Sequence, residues 1–421
     1  MNAILKQIVE RIASYEHKPG FLDVLFGEYA QKSLQSMPVV LFGAGALGQE
    51  LCSTLRSHGI SPVCFCDNKT SEKDATYCSI PVIGFQELKA SFQNSLIVIA
   101  SHKHMAKMTE QLLENGFSRD RIFAKDTDPL APVVFMYSMI ETQCIFAEYQ
   151  KRCKPGSVLD FLTAHESYLA DAFDLFADHH SKQLFVSKLA LMASDGNFSL
   201  FRDFIQSYSQ PWLQFGSGSY DGTPEDYFYF NNDVLSLSQG EVYVDVGAFD
   251  GDTVQTFVHA CNRKGLDYAW IHAFEPDPRC YRALLKNTAD YKRISCNKTG
   301  VWSKSGVLKF TSSENGIHDQ AGAIDQTGDI EVDVVSLDEY LDGKPVSFIK
   351  MDPGGNVIPE AIRGSARTIA ARKPKLALGA YHAVESIFEI PLLVHQICPD
   401  YKLFLRHNTY HLCDTDMYAT L

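Results

Sequence analysis

At 421 residues, with 45% hydrophobic and 21% charged side chains, the chain is too long for a single core and too apolar to be disordered, which points to a soluble globular protein of two or three domains. A formal net charge of -13, with no run of Lys or Arg anywhere, argues against nucleic acid as a partner, because a phosphate backbone needs a basic surface. No stretch approaches the ~18 uninterrupted apolar residues of a membrane span, and 11 scattered cysteines without a Cys-x-x-Cys pair imply free thiols in a reducing compartment, the cytoplasm.

In chain order, Met1 to Gly20 carries Lys6, Glu10, Arg11 and Glu16 among apolar residues, a pattern that predicts a short amphipathic helix rather than a signal peptide. Pro38 to Phe42 predicts a buried strand, Gln49 to His58 a helix, and Pro62 to Cys66 and Ser95 to Ala100 two further strands. This β-α-β series implies a parallel sheet with right-handed crossovers. Between the first strand and its helix, Gly43, Gly45 and Gly48 complete a Gly-x-Gly-x-x-Gly turn, and Asp67 ends the next strand. In that context the turn lodges a phosphate on the helix N-terminus and the carboxylate holds a ribose.

The pattern breaks at Asp128 to Pro132. From about Val133 to Leu213 apolar residues recur at helical spacing, as in Phe173, Leu175 and Phe176 or Leu184, Leu189 and Leu191, which predicts a helical connector with its aromatics in the core. Gln214 to Pro224, rich in Gly and Ser, predicts a loop. A second α/β series opens with the strand Glu241 to Asp245, a glycine turn, and a helix over Thr253 to His259. Further strands are expected at Ala269 to Phe274, Ser347 to Met351 and Lys375 to Gly379, with an inserted hairpin from Gly306 to Thr311 and Ile330 to Val335. The expected architecture is α/β: two doubly wound Rossmann-like domains joined by a helical connector, divided at residues 1–130, 131–225 and 226–421.

In the second series Gly247 and Gly251 let the backbone approach a ligand, and the helix N-terminus that follows favours an anion such as a carboxylate. Asp245 can accept from an ammonium or nearby amides. Glu275 follows the next strand at the distance where an acid meets ribose hydroxyls in doubly wound folds, and a carboxylate can accept from both. A nicotinamide or a flavin would suit each feature singly; the combination favours an adenosyl amino acid.

Val244-Asp245-Val246-Gly247-Ala248-Phe249-Asp250-Gly251-Asp252-Thr253 resembles the cofactor turn of the FkbM-type methyltransferases. Ala273-Phe274-Glu275-Pro276-Asp277-Pro278 resembles their second-strand motif. Val335 to Leu341, Phe348 to Asp352, Tyr381-His382 and Leu405-Arg406-His407 are similar to later family segments in the same order, so the resemblance runs from about Tyr227 to Leu421. It implies a class I methyltransferase sheet, mostly parallel with one antiparallel strand, S-adenosylmethionine as cofactor, and methyl transfer to a hydroxyl of a sugar or other biosynthetic scaffold. Where the family typically reads Asp-Ile-Glu-Gly-Ala-Glu, this chain has Asp352-Pro353-Gly354-Gly355-Asn356-Val357, without either glutamate. The N-terminal segment, Val39 to Phe123 with Ile80-Pro81-Val82-Ile83-Gly84, is similar to small Rossmann-type domains of bacterial polysaccharide biosynthesis proteins. That resemblance implies a nucleotide or nucleotide-sugar ligand.

Methyl transfer to oxygen needs in-line alignment and a base within hydrogen-bond reach of the acceptor. Asp352 and His382, at predicted strand carboxyl ends, are the candidates. No metal site is expected: His102 and His104, or His179 and His180, lack a Cys or carboxylate partner at zinc spacing. Two other readings stay open, an NAD(P)-dependent oxidoreductase working at Gly43 to Gly48 and a noncatalytic cofactor-binding protein. Acceptor identity and oligomeric state are not encoded in any motif.

Overall fold

Strands that are buried on both faces read as continuous apolar runs, whereas half-exposed ones alternate; this chain uses both kinds, in separate sheets. The computed structural model describes residues 2–32, 34, 36–69, 75–209, 229–230, 232–311, 323–324, 328, 330–409 and 412–421. The loop expected at Gln214 to Pro224 and the boundary at 225/226 lie outside the described residues.

Asn2 accepts the Leu5 N–H at 2.9 Å and starts α1 (Ala3–Ala13). Two short helices follow, α2 (Phe21–Phe26) and α3 (Glu28–Lys32). The first α/β unit then runs β1 (Val39–Phe42), α4 (Ala46–Ser57), β2 (Cys64–Cys66), β3 (Thr76–Tyr77), β4 (Ile80–Ile83), α5 (Phe85–Ser91), β5 (Leu96–Ile99), α6 (Met105–Glu114) and β6 (Ile122–Phe123). Its sheet has the order β3-β4-β2-β1-β5-β6 and is parallel except for β3. Because β2 and β5 lie on opposite sides of β1, the turn after β1 sits where the winding reverses, the place where open α/β sheets collect ligands.

The expected helical connector is present as α7 (Ala131–Ser138), α8 (Ile140–Arg152), α9 (Val158–Ala164), α10 (Glu166–Leu175), α11 (His179–Ala193) and α12 (Phe198–Tyr208). Leu184, Leu189 and Leu191 are fully buried, as their spacing predicts. Helix α1 packs along α10 and α11, so the helical layer also recruits residues from ahead of the first sheet.

The second unit comprises β7 (Glu241–Val246), α13 (Asp252–Arg263), β8 (Tyr268–Phe274), α14 (Pro278–Asn287) and β9 (Ile294–Asn297). After it come β10 (Gly300–Val301), β11 (Gly306–Thr311), β12 (Ala323–Ile324) and β13 (Ile330–Val335), where β11 and β13 pair antiparallel as the expected hairpin within a separate four-stranded sheet. The chain returns through α15 (Leu337–Leu341), β14 (Phe348–Met351), α16 (Ile358–Arg363), α17 (Ala366–Arg372), β15 (Lys375–Gly379), α18 (Ser386–Ile397), β16 (Lys402–His407) and β17 (Thr415–Thr420). The large sheet has the order β16-β17-β15-β14-β7-β8-β9, and β17 runs antiparallel to both its neighbours, so the sheet has the one reversed strand that the resemblance implied. Helix α11 lies against β16, and the Ala177 N–H donates to the Leu403 carbonyl at 2.9 Å along the outer edge of that strand. One hydrophobic core accordingly runs from α1 through the helical layer into β14, β15 and β17. Among the described residues, no helix is long and apolar enough to cross a membrane.

Candidate active site

Strand β7 delivers the chain into a turn with three left-handed residues, Gly247 at φ 76°, Phe249 at φ 47° and Gly251 at φ 93°. A Cβ at Gly247 would lie 2.7 Å from the Asp352 carbonyl oxygen, so the turn can press against the end of β14 only because that side chain is missing. The Gly247 and Ala248 N–H groups donate to the Phe274 carbonyl at 3.1 and 3.0 Å, which bends the turn toward the end of β8. Glu275 sits there. Its Oε2 accepts the Phe249 N–H at 2.9 Å and its Oε1 the Asp277 N–H at 2.8 Å, while Asp277 itself caps α14. Burial pushes the Glu275 carboxyl up to about 7, against the pull of those two backbone donors.

Asp245 is fully buried. It accepts from the Thr253 hydroxyl at 2.6 Å and pairs with the Lys350 ammonium at 3.2 Å, and Lys350 also donates to the Gly247 carbonyl at 3.0 Å. The ammonium that Asp245 meets is therefore the chain's own, and the pair braces the glycine turn from below. Lys350 was visible in the sequence as one charge inside the apolar run Phe348 to Met351; a strand buried on both faces carries a cation only if a partner waits for it.

The turn, Glu275 and the end of β14 surround a cleft open to solvent, lined by Gly247, Phe249, Phe274, Glu275, Val301, Phe310, Asp352 and Pro353. Its mixed apolar and acidic lining suits a ligand with an apolar ring and hydroxyl donors. Asp352 forms one wall and collects four contacts: His382 Nε2 at 2.9 Å, the Tyr381 hydroxyl at 3.0 and 3.2 Å, and the Tyr229 hydroxyl at 3.1 Å. Burial alone would raise the Asp352 carboxyl, but His382, Lys350 and Tyr381 outweigh it and hold the group below its usual range. The ionised oxygen accepts, so Nε2 carries the proton in this arrangement. Register explains the meeting of residues 30 positions apart: Met351 pairs with Leu378 in adjacent parallel strands, so both following loops emerge side by side. Gly379 makes room, since a Cβ there would lie 2.5 Å from Asp352 Oδ1. Behind Asp352, Asp416 of β17 is bonded by the Asn408 amide at 2.6 Å, and burial together with Asp352 and Asp414 pushes its carboxyl well above the usual range. Neither Tyr229 nor Asp416 carried a sequence signal.

In the N-terminal unit the expected residues also converge. Gly43, at φ 122°, would place a Cβ 2.6 Å from the Ala100 carbonyl, and Gly48 one 2.2 Å from the Gly43 carbonyl. Both are needed for packing. Nothing lies within 4 Å of the Cβ position of Gly45. Asp67 accepts the Ala44 N–H at 3.1 Å and the Lys69 N–H at 2.8 Å, the same acid-to-turn bond that Glu275 makes in the other unit. His102 stacks edge-on against Phe135, 4.4 Å between ring centres.

Residues 245–412 match the family model of the methyltransferase FkbM domain. The crystal structure of Methyltransferase FkbM from Methylobacillus flagellatus KT superposes over 99% of this chain and 99% of its own, with a TM-score of 0.59 at 17% identity, which shows a common fold. An rRNA methylase from Streptococcus thermophilus (14% identity, 44% of this chain and 86% of that one, TM-score 0.26) shows a likeness too weak to argue from. The same holds for Aeropyrum pernix fibrillarin with natively bound S-adenosyl-L-methionine (12% identity, 44% and 70%, TM-score 0.27). No curated protein sequence matches the chain. Residues 245–412 thus match the methyltransferase FkbM domain, and that match makes the chain an S-adenosylmethionine-dependent methyltransferase.

Proposed function

We propose that the enzyme methylates a hydroxyl oxygen of a sugar or another biosynthetic alcohol, in the cytoplasm, with His382 as base and Asp352 as its orienting partner. The observation that carries this reading is the 2.9 Å contact between His382 Nε2 and an ionised carboxylate on the wall of the cleft.

The residues present fit the cofactor. Glu275 keeps lone pairs beyond its two backbone donors and would accept from the ribose hydroxyls. The left-handed turn at Gly247 to Gly251 would set the N-terminus of α13 toward the amino-acid carboxylate. Phe249, Phe274, Val301 and Phe310 would supply apolar walls. When bound, S-adenosylmethionine supplies an electrophilic sulfonium methyl group.

With Nε2–H given to Asp352, Nδ1 of His382 holds the lone pair that can take the acceptor's proton, and Asp352 stabilises the imidazolium that results. Tyr381 and Tyr229 keep the carboxylate in place, so the imidazole is oriented before the acceptor arrives. General-base help of this kind is worth about 10²- to 10⁴-fold in rate. If a family glutamate orients the acceptor or takes its proton, this pair does that here, which favours an active enzyme over a noncatalytic binder.

The N-terminal turn, with its helix N-terminus and Asp67, belongs to the same proposal as the holder of a nucleotide or nucleotide-sugar portion of the substrate. The test is methyl transfer from radiolabelled S-adenosylmethionine to a panel of free and nucleotide-linked sugars. Calorimetry with S-adenosylhomocysteine, uridine diphosphate and NAD(H) runs beside it. Binding of NAD(H) without S-adenosylhomocysteine would overturn the reading in favour of an oxidoreductase.

A further inference from the structure

Two buried polar side chains of the helical layer reach across to the loops that follow β15 and β16, and nothing in the chemistry above accounts for them. Tyr149, on α8 and almost fully buried, donates its hydroxyl to the Tyr381 carbonyl at 2.8 Å. Lys188, on α11 and fully buried, donates its ammonium to the Leu412 carbonyl and sits 5.3 Å from the centre of the Phe204 ring. The first bond lands on the residue before His382. The second lands two residues before Asp414, whose carboxylate accepts the Thr409 hydroxyl at 2.8 Å and whose backbone carbonyl accepts the Asn408 N–H at 3.0 Å.

We propose that Tyr149 and Lys188 are positioning residues for the methyl-transfer site. Tyr149 clamps the loop that carries His382, and Lys188 the loop that leads into Asp416 behind Asp352, so the helical layer is a working part of the active site rather than a linker. The inference rests on the Asp352–His382 reading for its catalytic consequence, but the clamping itself is independent of that reading.

The choice of residues supports a functional demand. An apolar side chain of similar volume would fill either position without desolvating a polar group, and replacing a buried charged group in this way is often neutral or stabilising. Burial lowers the Lys188 pKa to about 8, against the opposing pull of Cys413 and Asp414, so the ammonium is held at a cost. Burial also raises the Tyr149 hydroxyl above its usual range, which keeps it an O–H donor. Both donors aim at backbone carbonyls, which fixes chain position without regard to loop sequence.

The experiment compares the full-length chain with Tyr149→Phe and Lys188→Met, each saturated with S-adenosylhomocysteine, by amide hydrogen exchange. Tyr149→Phe is expected to speed exchange over residues 380–386 about tenfold, and Lys188→Met to do the same over 412–416. Exchange at the 247–253 turn and the affinity for S-adenosylhomocysteine should stay as in the wild type. Turnover with any acceptor the wild type methylates should fall about 10- to 100-fold in kcat at unchanged KM for S-adenosylmethionine. Unaltered exchange in both loops would overturn the proposal whatever the kinetics, as would loosened loops with full kcat. If Lys188→Met does not fold, Tyr149→Phe, which removes a single oxygen, decides the matter. A wild type that methylates nothing would sink the hydroxyl-transfer reading while the exchange data still judge the clamps.

Discussion

The Glu275 carboxylate accepts the Phe249 N–H at 2.9 Å, which joins the acid after β8 to the bend after β7 as two walls of one cleft. Its carboxyl is raised from 4.5 to about 7 by burial, and this has a sign. Ribose hydroxyls favour the ionised form, so the affinity for S-adenosylhomocysteine is expected to weaken about tenfold per pH unit below 7 and to level off above it. Because the folded-state value lies above the unfolded one, the group's contribution to stability is complete below about pH 4.5 and is lost as pH rises through about 7. In Glu275→Gln both dependences should vanish and binding should be weak throughout, as calorimetry and urea unfolding between pH 5 and pH 8 would show.

Gly251 sits at φ 93° and caps α13, and a Cβ there would come within 3.1 Å of Leu284 and Thr288. Gly251→Asp adds strain, crowding and a negative charge where a carboxylate ligand must lie. Binding of S-adenosylhomocysteine should fall more than about 100-fold. An unchanged dissociation constant in calorimetry would remove the turn from the cofactor site.

For the proposed base pair, His382→Gln and Asp352→Asn should each lower kcat by about 10²- to 10⁴-fold with cofactor affinity held within about threefold. The double variant should cost little more than either single one, because the two groups act as a unit. Additive losses in steady-state kinetics would mean that they work separately.

Lys350 and Asp245 are both buried and 3.2 Å apart. Lys350→Met strands a carboxylate in the sheet and should lower unfolding stability by about 3–5 kcal/mol. Adding Asp245→Asn should recover part of that loss, read as a rise in the urea midpoint over the single variant.

The legible parts of this protein were those where one local pattern decides the outcome. Continuous runs such as Leu96–Ile99 and Phe348–Met351 are buried parallel strands, and the alternating runs at 306–311 and 330–335 are a hairpin exposed on one face. Strands β16 and β17 escaped that logic because their buried positions include Arg406, His407, Thr415 and Asp416, polar residues that find their partners only after the fold has formed. In the site, the turn and Glu275 could be read because they lie 26 positions apart on consecutive elements. Asp352 and His382 could be nominated singly, but their contact depends on strand order. Tyr149 meets its carbonyl across 232 positions, a separation that no periodicity records.

The covering of β16 sets a limit on dissection. Ala177 takes up the Leu403 carbonyl, and Arg406 is enclosed by Asp178, Ser181 and Asp233. A shortened version that begins at the catalytic sheet would leave a row of unpaired backbone groups and a guanidinium stripped of half its shell, an edge disposed to zip onto its neighbours. Anyone trimming this molecule for crystals or engineering should keep the helices, since without them the sheet has a sticky flank.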